Sequence, residues 1–264
     1  MSAEKPGRTE AVDRVLDGLP VADGLPGELF ALVDSLDRSP ALKRALTDPN
    51  LPDAQRTGLA HALFDSRVSE PAARVLAEAA GQRWNSGRHL ADTIERQGVR
   101  AQLRIAEAGG GLDSVEDELF RFGRVVDGDP ALRAAITDRT ASIERREGLV
   151  DSLLGGKVGG ATVLLAKRAI RARERNFAWT LESYVQLAAE MRDRTIAVVR
   201  VARPLTGEQR ERLARTLTRQ AGRQVTIQEI VEPGLIGGVR VEMGSQVIEG
   251  TVAGRLADAR RQFG

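Results

Sequence analysis

The sequence repeats itself at a fixed interval. Glu28-Leu-Phe30, Pro40-Ala-Leu42, Ala45 and Thr47-Asp48 return as Glu118-Leu-Phe120, Pro130-Ala-Leu132, Ala135 and Thr137-Asp138, each pair 90 positions apart with no gap. The match runs on through Arg56-Thr-Gly-Leu59 and Arg146-Glu-Gly-Leu149, Leu63 and Leu153, and Arg67-Val68 and Lys157-Val158. Self-similarity of this period means that one supersecondary unit is used twice. Within each copy the apolar residues recur at helical spacing, so the unit is helical, with six helices expected per copy. In the second copy these lie near Val99 to Ala108, Ser114 to Val126, Pro130 to Thr137, Ser142 to Leu154, Thr162 to Arg171 and Arg175 to Arg194. The first copy opens with a helix over Glu10 to Leu19, broken by Pro20 and by Gly24 through Gly27, before another begins near Glu28. Only Gly98 separates the helix closing the first copy, Arg88 to Gln97, from the one opening the second. A continuous rod to Ala108 is therefore expected, after which Gly109-Gly-Gly111 reverses the chain.

After the repeat the pattern changes. Thr195-Ile-Ala-Val-Val-Arg-Val201 is β-branched enough for a strand and stops at Arg203-Pro204. Thr206-Gly-Glu-Gln209 has capping-box spacing and opens a helix to about Ala221, which Gly222 closes. Val225 to Val231 and Val239 to Met243 alternate as half-buried strands, separated by a Pro233-Gly234 turn. Gly244-Ser245 turns into a return strand at Val247-Ile248, and a last helix follows Gly250. The order is β-α-β-β-β-α. The fold class is thus α+β, with a first helical bundle at 1–97, a second at 98–194 and a small C-terminal domain at 195–264.

Composition sets outer limits. The 264 residues suit two or three compact units. With 39 basic against 37 acidic residues the net charge is +2, which does not call for nucleic acid. No cysteine is present, so disulfides and thiolate metal sites are excluded, and His61 and His89 are too far apart in sequence to form a metal site alone. Neither an export signal nor a run of eighteen uncharged apolar residues is found, and a soluble, unexported chain is expected.

Three stretches in the C-terminal seventy residues carry a resemblance: Val201-Ala-Arg-Pro-Leu-Thr206, Val231-Glu-Pro-Gly-Leu-Ile-Gly-Gly-Val239, and Val247-Ile-Glu-Gly-Thr-Val252 leading into Arg255-Leu256. In this order and spacing the chain resembles the delta subunit family of F-type ATP synthases, whose mitochondrial relative is the oligomycin-sensitivity-conferring protein. Glu249 departs from the aspartate usual in the family before the glycine, keeping its charge. The resemblance implies a non-enzymatic stator of the peripheral stalk that joins alpha-subunit N-termini to the b subunit, as one copy in a hetero-oligomer at the cytoplasmic face of the membrane. It implies no cofactor, no metal, no nucleic acid and no membrane insertion. The second copy looks like the family's six-helix N-terminal bundle, and the first is an added one.

Residue by residue, chemistry is sparse. Gly155-Gly-Lys-Val-Gly-Gly160 has Val158 where a phosphate loop needs Ser or Thr after the lysine, and no strand precedes it. Pro233 to Gly238 leads into a strand, so no helix N-terminus is there to hold a phosphate. His61 stands where the second copy has Asp151, a surface position. Trp84 and Trp179 are expected in the cores, with Phe177 to Tyr184 alternatively lining a groove. Lys167, Arg168, Arg171, Arg173 and Arg175 form a dense basic run, read as a solvated helix end or as a surface for acidic protein, lipid or nucleic acid. In the last helix Val252, Leu256, Ala259 and Phe263 form a stripe, with Leu256 and Phe263 the candidate partner-binding residues. A helical-repeat module for nucleic acid or protein is the rival reading.

Overall fold

A computed structural model describes residues 7–192, 194–221, 224–235, 239–243 and 246–249. By contact the chain divides into two units, Met1–Ala189 and Glu190–Gly264. The first is helical: α1 (Gly7–Asp17), α2 (Leu25–Arg38), α3 (Pro40–Leu46), α4 (Asp53–Phe64), α5 (Glu70–Gly81), α6 (Gly87–Ala108), α7 (Leu112–Gly128), α8 (Pro130–Thr137), α9 (Ile143–Leu154), α10 (Gly160–Ala169) and α11 (Phe177–Arg192). Both copies of the repeat lie within this unit. Most of the described chain is helix and the remainder centres on a small sheet, an α+β protein.

The local chemistry of the two copies is duplicated with the sequence. Ser39 accepts from the Leu42 amide to cap α3, and Asp129 does the same for α8 through Ala131 and Leu132. Glu28 accepts from the amide and hydroxyl of Ser69 at the start of α5. Its counterpart Glu118 accepts from the Gly159 amide at 3.1 Å and from the Thr162 hydroxyl, pinning the start of α10. The recurring glutamate thus ties the second helix of each copy to the N-terminus of the fifth. Some boundaries differ from expectation: α10 ends at Ala169, α11 ends at Arg192 with Arg194 opening the next strand, and α2 starts at Leu25, because Pro26 falls in the first helical turn, where a missing N–H is harmless.

The long helix α6 is continuous across 22 residues, closing the first copy and opening the second. Shifted by one repeat, α1 falls on its C-terminal half. The expected boundary at 97/98 therefore lies inside this helix, and its middle is buried on nearly every side, from Thr93 to Arg104. Gly98 is there because α2 comes too close for a side chain: a Cβ would lie 2.5 Å from Phe30 Cε1. Polar groups of α6 hold α1. Gln97 donates to Asp13 at 2.6 Å, Arg100 pairs with Asp17 at 2.6 Å, and Arg104 donates to the Leu16 and Leu19 carbonyls that end α1. The reversal after Ala108 uses Gly110 at φ +70, as the glycine run implies.

Leu16, Leu29, Val33, Leu36, Leu76, Leu90 and Ile94 fill the first copy's core. In the second, Leu119, Phe122, Val126, Ile136 and Leu165 are buried, with the Phe122 and Phe177 rings edge to face at 6.1 Å. Trp84 is buried and donates to the Ala79 carbonyl at 2.6 Å. Trp179 is not a core residue. It is 54% exposed, with the Arg175 guanidinium 5.0 Å from its ring centre, because its place on α11 faces away from the core side lined by Leu181 and Ala188.

The second unit comprises β1 (Arg194–Val201), α12 (Gly207–Ala221), β2 (Gln224–Val231), β3 (Val239–Met243) and β4 (Gln246–Glu249), in sheet order β2-β1-β3-β4. β1 runs parallel to β2, with Val201 opposite Val231, and antiparallel to β3, with Val201 opposite Val239. Ala197, Val199, Val201, Val225, Val241 and Met243 meet Leu217 of α12 in one core. The Thr206 capping box forms in both directions: Gln209 Oε1 accepts from the Thr206 amide at 2.9 Å, and Thr206 Oγ1 from the Gln209 amide at 3.3 Å. Gly222, Gly237, Gly238 and the last helix, with Leu256 and Phe263, lie outside the described residues.

Candidate functional site

The charged groups of the first unit converge where the two copies meet. Arg168, on the last turn of α10, is 7% exposed. Its Nε donates to both carboxylate oxygens of Glu95, at 2.9 and 3.0 Å, and its Nη1 donates to Asp34 at 2.9 Å. The same guanidinium lies 4.6 Å from the centre of the Phe30 ring. Arg171 reaches Asp34 at 3.5 Å and Glu147 at 3.8 Å. Arg173 pairs with Asp37 and, at 2.7 Å, with Asp92. Tyr184 of α11 donates its hydroxyl to Glu95 at 2.7 Å. Four acids of the first copy thus grip the end of α10 and the turn that follows it, and we call this arrangement the clasp.

Its electrostatics are those of buried charges with full compensation. Burial works to lower the Arg168 pKa, but the hydrogen bonds and charge of Glu95, with Asp34 behind them, outweigh it and hold the pKa above the ordinary arginine value. Arg173 follows the same balance, burial against Asp92 and Asp37, with the acids prevailing. Burial and the Glu95 charge push the Tyr184 phenol well above its usual range. Charges held this way contribute little net stability over an apolar contact, yet they specify one register, because a shifted register would leave each of them buried and unpaired.

This corrects the reading of the basic run as a solvated helix end. Arg168 and Arg173 turn inward, while Lys167 is tied to Asp151 at 2.7 Å and the exposed Arg171 reaches Asp34 at 3.5 Å, so most of the run is matched by acids of the same chain. A signal was available in the repeat. The counterparts of Asp34 and Glu95 are Arg124 and Val185, whereas those of Asp37 and Asp92 are the acids Asp127 and Glu182, so the copies diverge at the two positions that hold Arg168.

Beside the clasp is a polar cavity of about 220 Å³, lined among others by His89, Asp92, Arg96, Arg173 and Ser183. His89 Nδ1 has no hydrogen-bond partner there. His61 is exposed and contacts Asp65 at 3.0 Å. The glycine loop at 155–160 joins α9 to α10, and its Gly159 amide is already given to Glu118. Among the described residues no group of three or more His, Cys, Asp or Glu is placed to hold a metal ion. What the arrangement can do is hold two helical copies in one fixed register. Of the candidate residues, Leu256 and Phe263 lie outside the described residues.

Comparison with known proteins agrees with the C-terminal motifs. The family model for the ATP synthase delta (OSCP) subunit matches residues 94–263, starting within α6 and taking in the second copy and the second unit. Three curated relatives, each called ATP synthase subunit delta, align over nearly the whole chain. The protein of Streptomyces avermitilis is 45% identical over 90% of this chain and 88% of its own length. That of Kineococcus radiotolerans is 42% identical over 96% and 94%, and that of Cutibacterium acnes 38% over 98% of both. These alignments include the first copy.

Proposed function

The chain belongs to the ATP synthase delta (OSCP) subunit family, and from that premise we propose that it joins the N-terminal segments of alpha subunits to the b subunit of the peripheral stalk. It is a non-catalytic stator component of the ATP synthase. The observation that carries this is the family match over 94–263 together with 38–45% identity along nearly the full length of three delta subunits.

The geometry supports the finer assignment. Helical pairs offer grooves in which a partner's amphipathic helix lies, anchored at i, i+3, i+4 and i+7, with no cofactor needed. In this reading the helical unit receives the alpha segments and the sheet unit the end of b. Two attachments made by one chain raise the effective concentration of each, so moderate contacts together hold the catalytic head against rotor torque. Proton flow then turns the rotor while the head stays still, and this subunit handles neither ATP nor protons. It sits peripherally at the cytoplasmic face of the membrane through its partners, as one copy per complex. No helix among the described residues is long and apolar enough to cross a bilayer. The basic run gives no support to a nucleic-acid reading, since most of its charges are matched by internal acids.

Calorimetry with a synthetic peptide of the alpha N-terminus tests the assignment: saturable heat is expected with the folded full-length chain. Absence of heat would sink the alpha half of the reading. Reconstitution tests the whole, since membranes stripped of this subunit should still hydrolyse ATP but fail to couple hydrolysis to proton movement until it is added back.

A further inference from the structure

The internal repeat turns the clasp into a template for a second interface. The helices that receive the end of α10 present two stripes, Phe30, Val33, Asp34 and Asp37 on α2 and Arg88, Ala91, Asp92 and Glu95 on α6, each at i, i+3, i+4, i+7 spacing. Six of these eight residues touch the segment from Arg168 to Arg173: Phe30, Asp34 and Glu95 on Arg168, and Asp37, Arg88 and Asp92 on Arg173. Ninety positions on, the equivalent stripes are Phe120, Gly123, Arg124 and Asp127 on α7 and Ala178, Leu181, Glu182 and Val185 on α11. All eight line one groove. No third copy follows to fill it, because the chain passes from α11 into β1. Phe30 under the clasp is 7% exposed, whereas its counterpart Phe120 is 52% exposed.

We propose that this α7–α11 groove receives an amphipathic helix end from a partner subunit, held where α2 and α6 hold the last turn of α10 and the turn that follows it. The residues that changed between the copies define the occupant. Asp127 and Glu182 keep the two acids that hold Arg173, so the helix carries a lysine or arginine at that end. Asp34 and Glu95, which hold Arg168, have become Arg124 and Val185. A buried arginine there would have no acid to meet, so the occupant sets an apolar side chain over Phe120 and Val185 and a carboxylate toward Arg124. Gly123, in place of Val33, accommodates the larger Leu181 that stands in place of Ala91, since a Cβ there would lie 3.3 Å from Leu181 Cδ2. The inference rests on the reading that the helical unit takes alpha N-terminal segments, and it places one of them.

The test uses the full-length chain and a fluorescently labelled synthetic peptide of the alpha N-terminus, with affinity read from anisotropy. Phe120→Asp is expected to weaken binding at least tenfold. The double variant Asp127→Lys with Glu182→Lys should weaken it comparably and regain affinity for a peptide whose basic residue is changed to glutamate. All these positions are exposed, and circular dichroism melts establish that the variants fold. Unchanged affinity in both variants overturns the groove while leaving alpha docking intact. A peptide that fails to bind even the unaltered chain overturns the reading on which the groove depends.

Discussion

Removing the Arg168 side chain leaves the Glu95 carboxyl at 5% side-chain exposure without its guanidinium, with the Tyr184 hydroxyl as the donor the clasp still offers it. Breaking one side of a buried pair costs about 3–5 kcal/mol. Arg168→Ala should therefore shift the urea midpoint by that equivalent, and Arg168→Met combined with Glu95→Leu should lose less than either single change predicts, since both charges then leave together. Tyr184 adds a pH dependence. Its pKa in the fold is raised above the usual value near 10, so between the two the folded state keeps a proton that the unfolded state releases. Stability is full below pH ~10 and falls as pH rises above it. Thermal melts across the alkaline range should show this decline, and Tyr184→Phe should flatten it.

At the scale of elements, α6 depends on its glycine. Gly98→Ala gains ~1 kcal/mol of helix propensity, but the new Cβ meets Phe30 at 2.5 Å. That ring cannot swing aside, because Arg168 lies over it. Overpacking of this kind costs about 1–3 kcal/mol. A net loss in denaturant midpoint is expected, recovered when Phe30→Leu is added. The same glycine shows what was and was not legible beforehand. Whatever depends on near neighbours could be read from the sequence: the 90-residue register, the span of α8, the strand of Val239–Met243 and the Thr206 capping box. Gly98 could be read only as a possible break, since the reason for it stands 68 positions away on α2. The pairing of the basic run is hidden from the sequence for the same cause. Glu95 and Asp34 lie 73 and 134 positions from Arg168, and local pattern carries no sign of pairing at such distances. Residue type alone points Trp179 to the core, yet its side of the helix decides its exposure.

For the whole molecule, the division into Met1–Ala189 and Glu190–Gly264 makes a prediction about fragments. A cut at 97/98 severs α6 in its most buried stretch and strips the clasp from both pieces. Residues 1–97 and 98–189 expressed apart should melt without cooperativity and bind the dye ANS, whereas 1–189 should give one sharp transition by circular dichroism. Two sharp transitions from the separate halves would show instead that each copy closes its own core. Because the last helix of the first copy is also the first helix of the second, nothing pliable joins them. A sideways pull on either copy is carried along one run of backbone hydrogen bonds, without a loop that could act as a pivot, and sets the other copy moving with it.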